Sequence, residues 1–151
     1  MAASTSPLQV FEQSLSTVIR LLEEREGEVA LRCGHDLPSA SWSLLEHLHA
    51  RGTLRVSQIA ACLGVDISSI TPRLKALEGS GLIARRRDPS DGRVHLIAIT
   101  ETGSQAVHGL HQARCELLEG LTGDLAPGQI ADAAAVLAHV ARRLDGQQPH
   151  V

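Results

Sequence analysis

The sequence lacks long hydrophobic runs, closely spaced cysteines and nearly all aromatic side chains, with one Trp, one Phe and no Tyr in 151 residues. No apolar stretch approaches the roughly 18 residues of a membrane-spanning helix. The opening MAASTSPLQV has neither the basic nor the apolar segment of a secretion signal. The three cysteines form no CxxC pair, which argues against a zinc ribbon, a redox motif or a disulfide framework. We therefore expect a cytoplasmic protein with no membrane partner.

Signatures of catalysis are also missing from the sequence. It contains no nucleophile elbow, no phosphate-binding loop and no HExxH string. Its eight histidines therefore lie outside the sequence motifs that mark hydrolytic or metal-dependent enzymes. We therefore expect neither an enzyme nor a bound cofactor. The length of 151 residues suits one compact unit, 1–151, and is short for a catalytic domain with a separate binding domain.

Charge is unevenly distributed along the chain, although the net value is only -3. The segment from Arg51 to Arg93 holds eight Lys or Arg and four Asp or Glu, a net charge of +4, whereas the remainder has a net charge of -7. A basic central module between acidic helices provides the local field that attracts phosphate. The charge pattern therefore favours nucleic-acid binding despite the acidic total.

Apolar spacing predicts helices at both ends of the chain. From Leu8 to Val29, apolar side chains form a coiled-coil-like seam suited to another helix, including one from a second copy of the chain. Thr100 and Glu101 open a helix that continues to Leu121, and the sequence APGQ starts the last helix. The apolar positions are Phe11, Leu15, Val18, Leu22 and Val29 in the first helix and Ile130, Ala134, Leu137, Ala141 and Leu144 in the last.

Three shorter helices are predicted between these ends. Pro38 suits the first turn of a helix whose apolar stripe is Trp42, Leu45 and Leu48. The stretch VSQIAACLG fits a short helix that ends at Gly64. After a turn of only GVD, another helix starts within DISSITPRLKALEGSGL. Two short helices joined by a tight glycine turn are typical of a helix-turn-helix.

The second helix of this pair has an outer face made of small, hydrogen-bonding residues. On a helical wheel, Ile67, Ile70, Leu74 and Leu77 cluster as a core face. The opposite face can enter a DNA major groove without steric conflict, and its hydroxyls can contact base edges or phosphates. Basic residues at its margins are the stronger candidates for guanine or phosphate contact. The outward and flanking residues are Ser68, Ser69, Thr71, Pro72, Arg73, Lys75 and Ala76.

Pro72 lies inside this predicted helix, where a proline costs on the order of 3 kcal/mol in an ordinary interior. Two arrangements accommodate it. Either the regular helix begins near Thr71 with Pro72 in its first turn, or it begins near Ile67 and tolerates a local kink. We favour the second arrangement, because the apolar stripe already starts at Ile67.

Two strand-like runs follow, Leu82 to Arg87 and Arg93 to Ile99, and the turn formers DPSDG join them into a hairpin with a charged tip. The Arg85–Arg87 run must place at least one arginine on each face of the sheet. At the tip, the short carboxylate of Asp91 is a candidate to orient the guanidinium of Arg93 toward a narrow minor groove. The hairpin therefore offers a second contact with DNA.

The stretch LRVSQIAACLGVDISSITPRLKALEGSGLIARRRDPSDGRVHLIAITETG resembles the MarR family of winged helix-turn-helix transcription regulators. Within DPSDGR, Asp88, Asp91 and Arg93 match the family's D-x-x-D-x-R wing pattern. The resemblance implies a mainly α fold with a small β-hairpin wing (α+β), a recognition helix over 68–77, and a homodimer built by the first helix and the last two. It divides the chain into a winged helix-turn-helix part, 38–99, and a dimerisation part, 8–33 with 100–145.

We therefore predict a sequence-specific, double-stranded DNA-binding transcription regulator: a homodimeric repressor on a pseudo-palindromic operator, with release by a small molecule. The scarcity of aromatics departs from what a phenolic effector needs for stacking. Arg55, just before the third helix, is a further candidate to contact phosphate. The predicted DNA-binding residues are Arg55, Ser68, Ser69, Thr71, Pro72, Arg73, Lys75, Arg86, Asp91 and Arg93.

Two alternative interpretations remain open. One is a dimeric helical interaction module that does not bind DNA, which the acidic flanks would suit. The other is a metal- or redox-responsive regulator: His108, His111 and Cys115 are metal-ligand types on one arc of a helix, and Cys33 or Cys62 are candidate oxidation sensors. One helix supplies no complete tetrahedral set, however, so we predict no metal site.

Overall fold

The computed structural model describes residues 6–146, except for the side chain of Leu31. Within that range the chain is mainly helical with a small antiparallel sheet, which confirms the predicted fold class. The elements in chain order are α1 (Pro7–Arg32), α2 (Ser39–Arg51), β1 (Leu54–Arg55), α3 (Val56–Leu63), α4 (Ile67–Gly79), β2 (Ile83–Arg87), β3 (His95–Ile99), α5 (Glu101–Thr122) and α6 (Pro127–Asp145).

The sheet has the strand order β1-β3-β2, so the predicted hairpin is present and carries an additional edge strand. The two residues of β1 pair with Ile97 and Leu96 of β3. A strand this short shows no periodicity of its own, which is why the sequence did not indicate it. Its pairing fixes the hairpin to the segment that enters α3.

The hydrophobic core lies between α2, the α3–α4 pair, the inner face of the sheet and α5. The predicted apolar stripe of α2 is buried, and so are the inward side chains of α3 and α4. Side chains from α2, α3, α4, β3 and α5 are buried together, and this removal of apolar surface from water is the main force that fixes α4 in place. The fully buried residues include Trp42, Leu45, Leu48, Ile59, Ile70, Leu74, Leu77, Leu82, Ile97, Val107 and Leu110.

Ile67 departs from the predicted core face of α4, because its side chain is 51% exposed. It is the first residue of the helix. On a regular helix it also falls at the edge of the arc that Ile70, Leu74 and Leu77 form. The prediction that Ile67 belongs to the core was therefore wrong, although the other three residues are completely buried.

The turn between α3 and α4 depends on Gly64. Its φ of 63° lies in the left-handed region that glycine adopts without a steric penalty. The Gly64 N–H donates to the Ala61 carbonyl, and the Val65 N–H donates to the Ala60 carbonyl at 3.0 Å. These bonds end α3 where the sequence predicted and allow α4 to start after two further residues.

The start of α5 is held by hydrogen bonds and close packing against the segment that joins α4 to β2. The Thr100 hydroxyl accepts from the Gly103 N–H at 3.0 Å and donates to the Gly81 carbonyl at 2.7 Å, so it caps the helix as predicted. Gly103 is buried, and a Cβ built on it would lie 2.1 Å from the Leu82 carbonyl oxygen. Only glycine permits this close approach between α5 and the strand connection.

The long helices leave much apolar surface uncovered within one chain. α1 packs along α5, and its last turns bury Val29 and Ala30. Its predicted seam is open further toward the N-terminus, since Phe11, Val18 and Leu22 are 36%, 49% and 40% exposed. α6 has no buried residue. The seams predicted from spacing are thus partly exposed, and side chains from both of them, among them Val18 and Leu137, line one open cleft between α1 and α6.

Candidate nucleic-acid interface

The outer face of α4 is presented to solvent. Ser68, Ser69, Pro72 and Lys75 are exposed, whereas Arg73 at the flank is half-buried. Complete burial of the opposite face holds the helix against the core, so the small residues form a low, polar ridge. The structure therefore places the predicted recognition residues on one accessible surface.

The helix is continuous through Pro72 and begins at Ile67, which agrees with the favoured arrangement. Pro72 has no N–H to offer the Ser68 carbonyl, so one helical bond is absent at this point. At the residue before Pro72, the Thr71 hydroxyl donates to the Ile67 carbonyl at 2.7 Å. This bond commits the Thr71 proton to the helix, and the Thr71 oxygen remains able only to accept.

The three consecutive arginines of β2 lie on both faces of the sheet, as predicted. Arg86 pairs with Leu96 in the register, on the face opposite the one that carries Ile83 and Arg85. Arg85 Nε donates to Glu78 Oε2 of α4 at 2.9 Å, so this arginine is engaged in a contact within the fold. Arg86 is exposed on the outer face, and Arg87 is exposed on the face that carries Arg85, so both remain accessible to a ligand.

The turn of the wing is organised by Asp88, which the sequence analysis had placed in a pattern without assigning it a contact. Its carboxylate accepts from the Ser90 N–H at 2.9 Å and the Ser90 hydroxyl at 2.6 Å, and from Arg55 Nη2 at 2.9 Å. The Ser90 bonds, together with the Arg55 guanidinium, lower the pKa of Asp88 to about 2. The sequence Asp-x-Ser is a recognisable turn signal, but the contact with Arg55 spans 33 residues.

Arg55 therefore has a structural role beyond the phosphate contact predicted for it. One of its guanidinium nitrogens is bound to Asp88, while 46% of its side chain stays exposed. Its backbone N–H donates to Gln58 Oε1 in α3 at 2.9 Å. The phosphate contact stays a prediction, and the exposed part of the Arg55 side chain leaves room for it.

Asp91 shapes the tip rather than holding the arginine side chain. Its carboxylate accepts from the backbone N–H of Arg93 at 3.0 Å, and its carbonyl accepts from the Val94 N–H at 2.9 Å. These bonds form a turn that continues to Val94, so β3 begins at His95 and not at Arg93 as predicted. Among residues 6–146, no hydrogen bond joins the Asp91 carboxylate to the Arg93 guanidinium, and that predicted role was wrong.

Several cations of this surface have no internal counter-ion. Across the described range 6–146, no carboxylate lies within ion-pair distance of Arg73, Lys75, Arg86 or Arg93. Cations without internal partners remain available to phosphate oxygens, and they add to the positive field of the central segment. The arrangement can therefore bind a polyanion along α4 and the wing.

Both histidines of the metal alternative lie within hydrogen-bond distance of other groups of the fold. His108 Nδ1 lies 2.8 Å from the Ser104 carbonyl oxygen, and His111 Nε2 lies 3.0 Å from Glu46 Oε1. In the part of the chain that the structure describes, no three His, Cys, Asp or Glu side chains are grouped so as to hold a metal ion. Burial raises the pKa of Cys33, which disfavours the reactive thiolate.

Comparisons with known proteins agree on one family. The model of the MarR family matches residues 37–95. The HTH-type transcriptional regulator YxaD of Bacillus subtilis (strain 168) is 36% identical over 117 residues, which cover 76% of this chain and 78% of that protein. The chain therefore belongs to the MarR family. The relatives are named as transcription regulators and not as enzymes.

Solved structures share the fold over nearly the whole chain. The transcriptional regulator Tm0710 from Thermotoga maritima has a TM-score of 0.76 at 26% identity, covering 93% of this chain and 99% of its own. A MarR family protein from Bacillus stearothermophilus has a TM-score of 0.80 at 19% identity, covering 95% of this chain and 99% of its own.

Among residues 6–146, no helix is long and apolar enough to cross a membrane.

Proposed function

We propose that the chain is a homodimeric repressor that binds a pseudo-palindromic operator through α4 and the wing and is released by a small molecule. Membership of the MarR family supports DNA-binding transcription regulation in general. The observation that carries the specific proposal is the exposed, hydroxyl-rich face of α4, which is anchored by three fully buried residues and accompanied by cations without internal counter-ions.

In this proposal the outer face of α4 lies in the major groove. Ser68 and Ser69 contact base edges or phosphates, and Arg73 and Lys75 contact guanine or phosphate. Arg93 at the tip of the wing reaches the minor groove, and Arg86 on β2 contacts the phosphate backbone of the DNA beside that groove. Pro72 keeps the centre of the face small and free of charge.

A homodimer is supported by the exposed apolar faces of the long helices. Val18 of α1 and Val136 and Leu137 of α6 are each nearly half exposed in the single chain. Apolar area of this extent on two helices favours association with a second copy. Two-fold symmetry would place the two α4 helices about 34 Å apart, one turn of DNA.

Two further relatives support DNA binding and repression. IacR of Pseudomonas putida, 28% identical over 95 residues that cover 63% of this chain and 57% of that protein, is named a transcriptional repressor. A MepR variant of S. aureus, with a TM-score of 0.64 at 20% identity and coverage of 89% and 97%, was solved bound to an oligodeoxyribonucleotide. Repression and DNA binding are properties of those two proteins, and they are the reason to test this chain for both.

The test is DNA binding by fluorescence anisotropy, after selection of bound sequences from a random pool. We expect an inverted repeat and an affinity that falls steeply between about 50 and 200 mM salt. Arg73→Ala and Arg93→Ala should each weaken binding by about 1–3 kcal/mol, roughly fivefold to 150-fold. Arg20→Ala is the matched control, because Arg20 is an exposed arginine on α1 that pairs with Glu24.

Two outcomes would contradict the proposal. Unchanged affinity in both arginine variants would remove α4 and the wing from the interface. Absence of any anisotropy change with DNA at low salt would favour the dimeric interaction module instead. A reporter gene placed behind the selected operator then separates repression from activation.

A further inference from the structure

Ile67 is an apolar side chain at a position that the hydrophobic core does not explain. Across residues 38–99, all of which the structure describes, it is the one large hydrophobic side chain that is more than a third exposed. It is the first residue of α4, the helix that carries the outer polar face. Its neighbours Asp66 and Ser68 are exposed as well. The N-terminal end of α4 therefore presents an apolar group among polar ones.

Thr71 lies one turn after Ile67 on the same side of the helix, so the two side chains are neighbours. The Thr71 hydroxyl donates to the Ile67 carbonyl at 2.7 Å, and the oxygen of this exposed side chain can therefore only accept. The same bond holds χ1 of Thr71 in one of the rotamers that a helical threonine adopts. Ile67 and Thr71, which we call the Ile67–Thr71 patch, thus combine an apolar surface with a fixed acceptor.

This combination matches the major-groove edge of one kind of base pair. Adenine presents its N6 amino group as a donor and thymine presents a methyl group, and both groups lie on the edge of an A·T pair. A G·C pair offers the cytosine N4 amino group but no methyl group, and guanine presents two acceptors that another acceptor cannot bond. Residues at the N-terminal end of a recognition helix are the ones that contact base edges. The position of the patch on α4 therefore suits this role.

We propose that the Ile67–Thr71 patch selects an A·T pair in each half of the operator, with Thr71 Oγ1 accepting from adenine N6 and the Ile67 side chain packed against the thymine methyl group. This inference rests on the proposed function, because it names a base pair that α4 selects. Packing the exposed part of Ile67 against a methyl group removes apolar surface from water, so the contact adds affinity as well as selectivity. Both residues are therefore specificity-determining residues of the recognition helix.

The Thr71 hydroxyl is suited to an amino group and not to a base oxygen. To donate to guanine or to thymine O4, it would first have to break its bond to the Ile67 carbonyl. Arg73 and Lys75 on the same helix carry only donors, so base acceptors already have partners on α4 that need no such change. Thr71 is therefore the complement of these cations, because it accepts where they donate.

The competing interpretation is an ordinary helix surface that contacts no base. Single exposed hydrophobic residues are common on proteins, and threonine hydroxyls in helices often bond to the carbonyl one turn earlier. Thr122 at the end of α5 does so, donating to the Leu118 carbonyl at 2.8 Å. Neither habit accounts for the two features lying side by side at the exposed start of α4. We assign this juxtaposition to DNA, and Thr122 supplies the matched control.

Base analogues in the selected operator test the proposal on the full chain by fluorescence anisotropy. Each adenine of one half-site is replaced in turn by 2′-deoxynebularine, which lacks the 6-amino group. Each thymine is replaced in turn by deoxyuridine, which lacks the methyl group. We expect one A·T pair at which the first change weakens wild-type binding roughly fivefold and the second roughly fourfold.

Protein variants identify the side chains that contact this pair. In Thr71→Val the nebularine effect should fall below about twofold, since valine has the same shape and no acceptor, whereas Thr71→Ser should retain it. In Ile67→Ala the deoxyuridine effect should fall in the same way. Thr122→Val removes the same kind of hydroxyl from α5 and should leave both effects as in wild type. Each comparison uses two DNAs with one protein, so a lower fraction of folded protein cancels.

The outcomes separate this proposal from the proposed function. Equal nebularine effects in wild type and Thr71→Val at every adenine would overturn the A·T assignment. Equal deoxyuridine effects in wild type and Ile67→Ala at every thymine would also overturn it. Either result, obtained with a wild type that binds its operator, leaves the proposed function intact. Recovery of no bound DNA in the selection would contradict the proposed function, and the A·T assignment with it.

Discussion

Asp88 fixes the start of the wing turn, because its carboxylate joins the turn to Arg55. Its pKa is lowered to about 2, so the charged form stabilises the fold above the usual value of 3.8, and this contribution is lost as the pH falls toward 2. Asp88→Asn removes the charge and keeps the size. We expect severalfold faster hydrogen exchange at the amide of residue 90 near pH 7, with the difference from wild type shrinking below about pH 4.

The control is Asp124→Asn, which makes the same chemical change on an exposed residue outside the sheet. Equal exchange rates in wild type and the Asp88 variant across this pH range would show that the three hydrogen bonds do not hold the turn.

His47 provides a pH dependence nearer to neutrality. Burial, with a smaller contribution from the Arg51 charge, lowers the pKa of His47 below 6.5, while Asp145 opposes the shift. The unfolded chain therefore binds a proton more readily than the folded one, and the free energy of unfolding should fall as the pH drops below 6.5. His47→Gln should make urea unfolding less sensitive to pH between about 7.5 and 5.5. His139→Gln, an exposed change on α6, should leave the dependence as in wild type.

Single residues also show how far the candidate site could be predicted. The outer face of α4 followed from spacing, because a helix repeat decides which of its side chains meet the core. Ile67 is an exception, because it is the first residue of the helix and its side chain is exposed instead of buried. The partners of Arg55 and Asp91 were not predictable, since a guanidinium contact across 33 residues and a carboxylate's choice of a backbone N–H depend on the folded turn.

Among the elements, α5 depends on one close approach at its first turn. Gly103→Ala would place a Cβ 2.1 Å from the Leu82 carbonyl oxygen and 2.8 Å from Ile99 Cγ1. The helix must then move away from the sheet, which we expect to cost about 3 kcal/mol in urea unfolding. Gly120→Ala, on the same helix with nothing within 4 Å of the added Cβ, should instead stabilise by up to about 1 kcal/mol. Similar losses in both variants would mean that helix propensity, not the contact, sets the cost.

The elements were predictable in proportion to their length. The long helices and the hairpin carry periodic apolar patterns, and the structure confirms them with ends shifted by a few residues. β1 was missed because two residues carry no pattern and its pairing with Ile97 and Leu96 arises only when the hairpin folds back. The packing of α6 was equally unpredictable, since within the described residues its apolar side chains meet no complete partner surface in one chain.

The whole molecule combines an inward-facing core around α4 with outward-facing apolar surface on α1 and α6. In the proposed function, the first arrangement presents one recognition surface per chain, and the second pairs two chains. A single α4 helix and wing make few phosphate contacts, whereas two linked copies bind with a higher effective concentration. Dimerisation and tight operator binding are therefore expected to fail together.

Leu137→Glu tests this coupling, because Leu137 is 47% exposed in the single chain and its replacement need not disturb the fold of one subunit. A carboxylate on the apolar face of α6 should shift the protein to monomer in analytical ultracentrifugation and weaken operator binding by at least about 100-fold. Ala135→Glu places the same side chain on the opposite, exposed face of α6 and should change neither measurement. A monomeric variant that kept full operator affinity would show that the two recognition helices do not act as a pair.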